Sequence, residues 1–255
     1  MEDNMYTLLY YSATGNTKHL AKELASQLSI EKDKIFELDQ TPYEKLKGND
    51  HLVLMYPIHG FNPPRTVKRY IKNLPKGLYK EVSLVAVGCN DLWLNNAVSV
   101  NLRKHFIKAG SIIKIDAIIP MPITIVMGMK EEMKAEIIEK AMESIQSIAK
   151  DILENQTKYR KVQLASRAVH QMGKLEDVAA RLFGLELHAK KGCDSCGICW
   201  NRCPENNIKE GKKGLPKFGF SCSMCMRCIY SCPQKVITPR FSKFLTIKDG
   251  YTIKK

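Results

Sequence analysis

The chain has 255 residues, enough for one ordinary domain and a smaller second unit. It contains nine cysteines and carries a formal net charge of +14. No run of about 18 apolar residues occurs; the best stretch, 118–129, is short and is broken by Pro120 and Pro122, which excludes a membrane-spanning helix. The first residues, Met1-Glu2-Asp3-Asn4, are acidic and lack the basic and apolar segments of a secretory signal, so the cytoplasm is the expected compartment.

In chain order, strand-like and helix-like segments alternate. Residues 6–11 form a short apolar, aromatic-rich run, followed by a loop and a helical stretch from about 16 to 28. Residues 34–38 read as a second strand and 50–56 as a third. Pro63-Pro64 then leads into a helix with Val67, Tyr70, Ile71 and Leu74 on its apolar face. Residues 82–88 and 112–119 are the fourth and fifth strands, with a helix from about 94 to 108 between them, and 130–153 is a long amphipathic helix. Near-continuous apolar strands separated by helices indicate an α/β fold, a doubly wound five-stranded parallel sheet covered on both faces. Length and strand count fit the flavodoxin-like order, in which a ligand sits beyond the carboxyl ends of the strands.

The loop after the first strand, Ser12-Ala13-Thr14-Gly15-Asn16-Thr17, delivers the chain to a helix N-terminus. Unpaired backbone N–H groups and the helix dipole favour an anion there. Hydroxyls at Ser12, Thr14 and Thr17 can donate to phosphate oxygens, and Gly15 permits close backbone approach. A plain Ser/Thr N-cap would call for one such residue rather than three. The loop has no Lys or Arg and is not a Walker A loop, so neutral donors would hold the phosphate.

Residues 156–189 form a connector with apolar residues at near-helical spacing, among them Val162, Leu164, Val169, Met172, Leu175, Val178, Leu182 and Phe183. Gly173 weakens its middle and leaves room for two helical pieces. Arg160, Lys161, Arg167, Lys174 and Arg181 accompany the stretch, so a membrane-surface helix is conceivable. Packing between two domains is the commoner explanation for such a stretch and the preferred reading.

Eight cysteines then occur in two copies of C-x2-C-x2-C-x3-C-P. The first is Cys193, Cys196, Cys199, Cys203 and Pro204; the second is Cys222, Cys225, Cys228, Cys232 and Pro233, offset uniformly by 29 residues. This spacing ligates two [4Fe–4S] clusters, the fourth cysteine of each run serving the other cluster. Cluster 1 then takes Cys193, Cys196, Cys199 and Cys232, and cluster 2 takes Cys222, Cys225, Cys228 and Cys203. Zinc would be expected from two separated C-x2-C pairs, and a disulfide framework from a small secreted domain. Ile208 and Ile237 repeat at the same offset and are expected to pack around the clusters. A tail, 241–255, carries Phe241, Phe244, Leu245, Ile247, Tyr251 and Ile253 and is expected to dock back.

The charge is unevenly placed. Residues 1–155 hold 20 basic against 19 acidic side chains, and residues 156–255 hold 20 against 7. A basic half points first to nucleic acid. Two thiolate-ligated clusters would each bring roughly −2, however, and a bound phosphate up to about −2 more. The residual positive face therefore reads as steering for an acidic redox partner protein rather than for nucleic acid.

S-A-T-G-N-T after an apolar strand resembles the phosphate loop of flavodoxins, whose ligand is FMN. With the twin cysteine runs downstream, nearly the whole chain resembles the flavodoxin/ferredoxin fusion proteins of anaerobes, the EFR-type ferredoxin family. That resemblance implies an FMN-binding domain at 1–155, the helical connector at 156–189, a small α+β two-cluster ferredoxin domain at 190–240 and the tail at 241–255. It implies FMN and two [4Fe–4S] clusters as cofactors, with single electrons passing between them and on to a partner redox protein. The other implied activity is flavin-dependent reduction of a small molecule such as a quinone, nitro compound or oxygen species.

By the same resemblance, the flavin ring lies between two loops. One is Pro57-Ile58-His59-Gly60-Phe61-Asn62; the other is Gly88-Cys89-Asn90-Asp91-Leu92-Trp93. Phe61 and Trp93 are candidate ring walls or core filler. His59 is a flavin donor and proton relay or a loop histidine bonded to backbone, and Cys89 is a buried small hydrophobe or a flavin-adjacent thiol. A third loop, residues 121–125, follows the fifth strand and would close the site. Arg202 and Arg227, near the clusters, should raise their potential.

Overall fold

The computed structural model describes residues 6–46, 50–88, 93–123 and 129–247, the side chains of Trp93 and Lys174 excepted. Its first part is a parallel sheet of β1 (Tyr6–Tyr10), β2 (Ile35–Glu37), β3 (His51–Pro57), β4 (Glu81–Gly88), β5 (Ile112–Pro120) and β6 (Lys158–Tyr159), in the order β2-β1-β3-β4-β5-β6. The first five strands reproduce the flavodoxin-like order 2-1-3-4-5. The sixth is an addition to the predicted sheet. It is two exposed residues long and carries no apolar signal. Arg160 holds it there: its guanidinium donates to the buried Asp116 carboxylate of β5 at 2.8 Å and to the Asn95 carbonyl at 3.2 Å. β6 thus lies beyond residue 155, where the first domain is expected to end.

Alternate side chains of the central strands feed two cores. Leu8, Val53 and Val85 pack against α1 (Asn16–Gln27) and α4 (Glu131–Leu153) through Leu20, Leu24, Ile145 and Ile148. Leu9, Leu54 and Leu84 pack against α2 (Arg65–Asn73) and α3 (Val100–Lys108) through Val67, Ile71, Leu102 and Phe106. Burial on both faces explains why these strands read as continuous apolar runs. The helix predicted over 94–108 is divided into a 3₁₀ turn at Trp93–Ala97 and α3.

The connector is one helix, α5 (Leu164–Glu186), rather than two pieces. Gly173 costs helix propensity, but the site requires it: a Cβ there would lie 2.0 Å from Asn62 Nδ2 and 2.8 Å from the Gly60 carbonyl oxygen. The helix does pack between the two halves of the molecule, though with a different face from the one its apolar residues predict. Ser166, His170, Gly173, Ala180, Phe183 and Gly184 point inward, so Phe183 is the one large apolar side chain buried there, whereas Leu164, Met172, Leu175, Val178 and Leu182 are exposed.

The cysteine-bearing segment contains two antiparallel pairs, β7 (Leu187–Ala189) with β10 (Ile237–Pro239) and β8 (Ile208–Glu210) with β9 (Pro216–Phe218). Short helices α6 (Ile198–Asn201) and α7 (Arg227–Tyr230) follow the third-last cysteine of each run. The 29-residue repeat is also a backbone repeat. Left-handed residues occur in matched pairs, Ser195 (φ 59°) with Met224 (54°), Gly197 (78°) with Met226 (60°), and Asn206 (51°) with Lys235 (50°). A non-glycine residue at positive φ is uncommon, and this recurrence marks one turn built twice. Leu245 of the tail packs against the small core of this segment and the Ile247 N–H donates to the Tyr230 hydroxyl at 3.2 Å. Phe241 and Phe244 do not dock; they are 84% and 70% exposed. Residues 248–255 lie outside the described residues.

Candidate functional site

A cavity of about 670 Å³ opens beyond the carboxyl ends of β1, β3, β4 and β5, in the size range of a cofactor site. On one side the loop after β1 turns at Gly15 (φ 104°) into α1. Ala13, Thr14, Asn16 and Thr17 line the cavity, and Asn16 and Thr17 are buried. Ser12 is buried and turned to the loop itself, accepting a hydrogen bond from the Gly15 N–H at 3.1 Å. Ser12 and Gly15 therefore shape the loop, while Thr14, Asn16 and Thr17 face the space at the helix N-terminus.

Pro57, Ile58, His59, Gly60 and Phe61 line the opposite wall. His59 and Asn62 exchange both backbone hydrogen bonds, at 2.9 and 3.0 Å, around Gly60 (φ 48°) and Phe61 (φ 59°). Two central residues at positive φ make this a type I′ turn, which glycine suits and phenylalanine tolerates only under restraint. The restraint comes from α5. The Asn62 amide donates to the carbonyls of Gly60 (3.2 Å) and His170 (3.0 Å), and His170 Nδ1 lies 3.3 Å from the Phe61 carbonyl. His170 Nε2 is 2.9 Å from Asn101 Nδ2, so a hydrogen on Nδ1 satisfies both contacts. Gly60 leaves room for Glu176, whose carboxylate occupies the place of a Cβ. Burial, opposed by Glu205 and aided by Lys68, pushes the His59 imidazole down to about 4, so it is neutral at pH 7.

Gly88, Met121, Pro122 and Ile123 complete this end of the cavity. Cys89 and Asn90, and the third loop from residue 124, lie outside the described residues; Trp93 opens the 3₁₀ turn, its side chain likewise undescribed. Sequence reasoning missed the remaining walls. Arg65 and Lys68 of α2 bring positive charge, Glu176 and Asp177 of α5 bring negative charge, and Ser223, Met224, Cys225 and Met226 come from the second cysteine run. Gly173 was the one available signal for α5.

The eight cysteines divide between two smaller cavities. Cys193, Cys196, Cys199 and Cys232 line one, with Ile237; Cys203, Cys222, Cys225 and Cys228 line the other, with Ile208. Each set takes three thiols from one run and the fourth from the other, the donor chemistry and pairing that a cubane cluster requires. Among the described residues no three such groups converge as a site for a single metal ion. Burial pushes the Cys199 thiol up to about 11 and Cys222 up to about 12, and raises Cys225 and Cys228, so ligation would release protons. Backbone N–H groups of Asn207 and Met224 donate to the Cys203 and Cys222 sulfurs, each at 3.3 Å.

The second of these cavities abuts the large one: Ser223, Met224, Cys225 and Met226 belong to both walls. Polar contacts fix that junction. Arg65 donates to the carbonyls of Ser221 and Cys222 at 2.7 and 2.5 Å. Glu205 accepts from Thr66 at 2.7 Å and from Arg69 at 2.8 Å. Arg227, buried over the Tyr11 ring, donates to Asp39 and to the Ser12 carbonyl. Burial works against its charge, but Asp39 outweighs burial and keeps the guanidinium protonated. Its charge is therefore offset, whereas Arg202, the other arginine expected to raise the cluster potential, is exposed.

No protein-family model matches the chain. Over 63 residues it is 33% identical to the ferredoxin-type protein NapF of Escherichia coli K12, a stretch covering 24% of this chain and 38% of that protein. The chain thus spans well under half of that relative. Among solved structures it is similar to a short-chain flavodoxin associated with a non-canonical PDU bacterial microcompartment, at 17% identity and a TM-score of 0.43, covering 59% of this chain and 97% of that one. It is also similar to flavodoxin 1 of Bacillus cereus, at 13% identity and a TM-score of 0.42, covering 58% and 97%. The strand order, the twin cysteine runs and the shared wall identify the chain as a fusion of a flavodoxin-like α/β unit with a ferredoxin-type cysteine segment.

Proposed function

We propose that the protein is an electron-transfer iron–sulfur flavoprotein that exchanges single electrons between FMN and two [4Fe–4S] clusters and passes them to a partner redox protein, one of acidic character. When bound, FMN supplies one- and two-electron storage and each cluster supplies one-electron transfer. Thr14, Asn16, Thr17 and the α1 N-terminus would hold the phosphate. The 57–61 turn and Gly88 would approach the ring, and Arg65, Asn62 and His170 would keep those walls in register with the cysteine segment. In this reading the cofactor domains fall at about 1–155 and 190–240, joined by the connector. Placement among the EFR-type ferredoxins rests on the same residues.

One observation carries the proposal: Cys225 stands in the wall of both the large cavity and the cavity of Cys203, Cys222 and Cys228. Cluster 2 is then the flavin's neighbour and cluster 1 the outer station, beside the exposed Cys196. Anaerobic purification with iron, sulfide and flavin quantitation, followed by spectroelectrochemical titration, tests it. Two cubanes and one FMN per chain, in redox exchange, are expected; zinc, or protein that takes up no flavin, would overturn it.

Reduction of a small molecule at the flavin is the second reading, favoured by the cavity's size and by its mixed lining of Arg65, Lys68, Glu176 and Asp177. Saturable turnover of a quinone or nitro compound, unaffected by loss of cluster 1, would support it over partner transfer.

A further inference from the structure

Helix α5 presents its apolar side away from the protein. Leu164, Leu175, Val178, Leu182 and Leu185 are 53 to 82% exposed. Together with exposed Ala168 and Gln171 they follow one another at spacings of four and three, the d and a positions of consecutive heptads from 164 to 185. A ridge of this period is complementary to another helix of the same period. The inner face of α5 is taken by its own chain, so the partner must come from outside.

We infer that α5 pairs in parallel with α5 of a second copy of this chain. Charge chooses the orientation. Arg167 and Arg181 both occupy the g position. An antiparallel pair would set these like charges against one another, whereas a parallel pair sets each g residue beside the partner's e residue five positions on. For Arg181 that residue is Glu186 of the second copy. Gln171 meets its counterpart in the seam, where a polar residue fixes register.

The available area matches. Six outward side chains (the five above and Met172) bury on the order of 60–120 Å² apiece. The Glu186 carboxylate accepts from the backbone N–H groups of Phe241 (2.7 Å) and Ser242 (3.0 Å), which anchors exposed Phe241 at the end of the same ridge. An exposed aromatic adds up to about 150–250 Å², bringing the ridge near the roughly 800 Å² per partner of a stable interface. A lipid surface would also accept apolar residues beside a basic edge, but it has no use for a 3.5-residue period (the spacing of a helical partner).

The test is sedimentation velocity on anaerobically reconstituted holoprotein, wild type against Leu175→Glu/Leu182→Glu. Wild type is expected to sediment as two chains at micromolar concentration and the double variant as one, with iron and flavin content unchanged. Gln171→Cys is expected to join two chains through a short bis-maleimide, above the wild-type background. A single-chain wild type would overturn the inference, as would a dimer indifferent to the double substitution. So would a monomer that co-sediments with phosphatidylglycerol vesicles but not phosphatidylcholine vesicles. Dimers that Gln171→Cys fails to join would overturn the parallel orientation.

Discussion

Arg227 of the second cysteine run pairs with Asp39 of the parallel sheet's edge, 188 residues away, and both side chains are buried. Asp39→Asn leaves a buried guanidinium without its counter-charge, which typically costs about 3–5 kcal/mol. Equilibrium denaturation of the anaerobic holoprotein should register that loss. The same substitution unmasks positive charge beside Cys225 and Cys228 and should raise the potential of the adjacent cluster. An unshifted potential would show that Arg227 is not felt at the metal.

Two glycines of α5 act as spacers beside different cavities. A Cβ at Gly184 would lie 2.4 Å from Cys222 Cβ, and one at Gly173 would meet Asn62. Gly184→Ala is expected to lower iron and sulfide content with flavin retained. Gly173→Ala is expected to weaken flavin binding in a fluorescence titration, with iron unchanged. The reverse pattern would contradict the assignment of the two cavities.

Exchange of the fourth cysteine between runs predicts unequal consequences for Cys232→Ser and Cys203→Ser. Loss of Cys232 strips the outer cavity, so light-driven flavin reduction should still deliver an electron to the remaining cluster, read by EPR. Loss of Cys203 strips the cavity next to the flavin, and transfer to the surviving cluster should slow by orders of magnitude. Equal behaviour of the two variants would refute the order of the stations.

Partner reduction should slow as salt is added, since attraction between an exposed basic face and an acidic protein is screened beyond about 8 Å at physiological ionic strength. Residues 156–255 carry 20 basic and 7 acidic side chains, so this half of the chain is the expected source of the effect. Stopped-flow rates with an acidic partner that ignore salt would argue against steering.

His51 supplies a pH dependence of stability. Its Nε2 lies 2.8 Å from the Ser83 hydroxyl, and burial together with Lys114 pushes its pKa down to about 4. Glu81, 3.3 Å from Nδ1, pulls the other way but is shared with Lys114, and burial prevails. The unfolded chain takes up this proton near pH 6.5, so stability should fall as pH is lowered from about 6.5 to about 4, by up to about 3 kcal/mol, and change no further below. His51→Gln should flatten that part of the unfolding profile; an unchanged slope would assign it elsewhere.

Much of this arrangement is legible along the chain because it is periodic or chemically specific. Strands buried on both faces admit few polar residues (Thr7, His51 and Ser83 are the buried ones), so β1, β3 and β4 announce themselves as apolar runs. Cysteine spacing predicts the division of the eight thiols between two cavities, and three hydroxyls around Gly15 mark the loop that lines the large cavity. The roles within that loop are not legible: Ser12 bonds Gly15 while Thr14 and Thr17 face the cavity. A hydroxyl's direction depends on the turn around it.

By itself the sequence determined two local features, a hydroxyl-rich loop at a strand end and a twin thiol set, because each depends on local spacing. Only the tertiary structure decided how they meet. Apolar periodicity predicts which side of α5 should be inside, yet the inner side holds Gly173 and Gly184, because backbones that approach this closely have room only for hydrogen. The wall at Cys225 and the Arg227–Asp39 pair join residues far apart in the chain, and no local pattern encodes a contact at that separation.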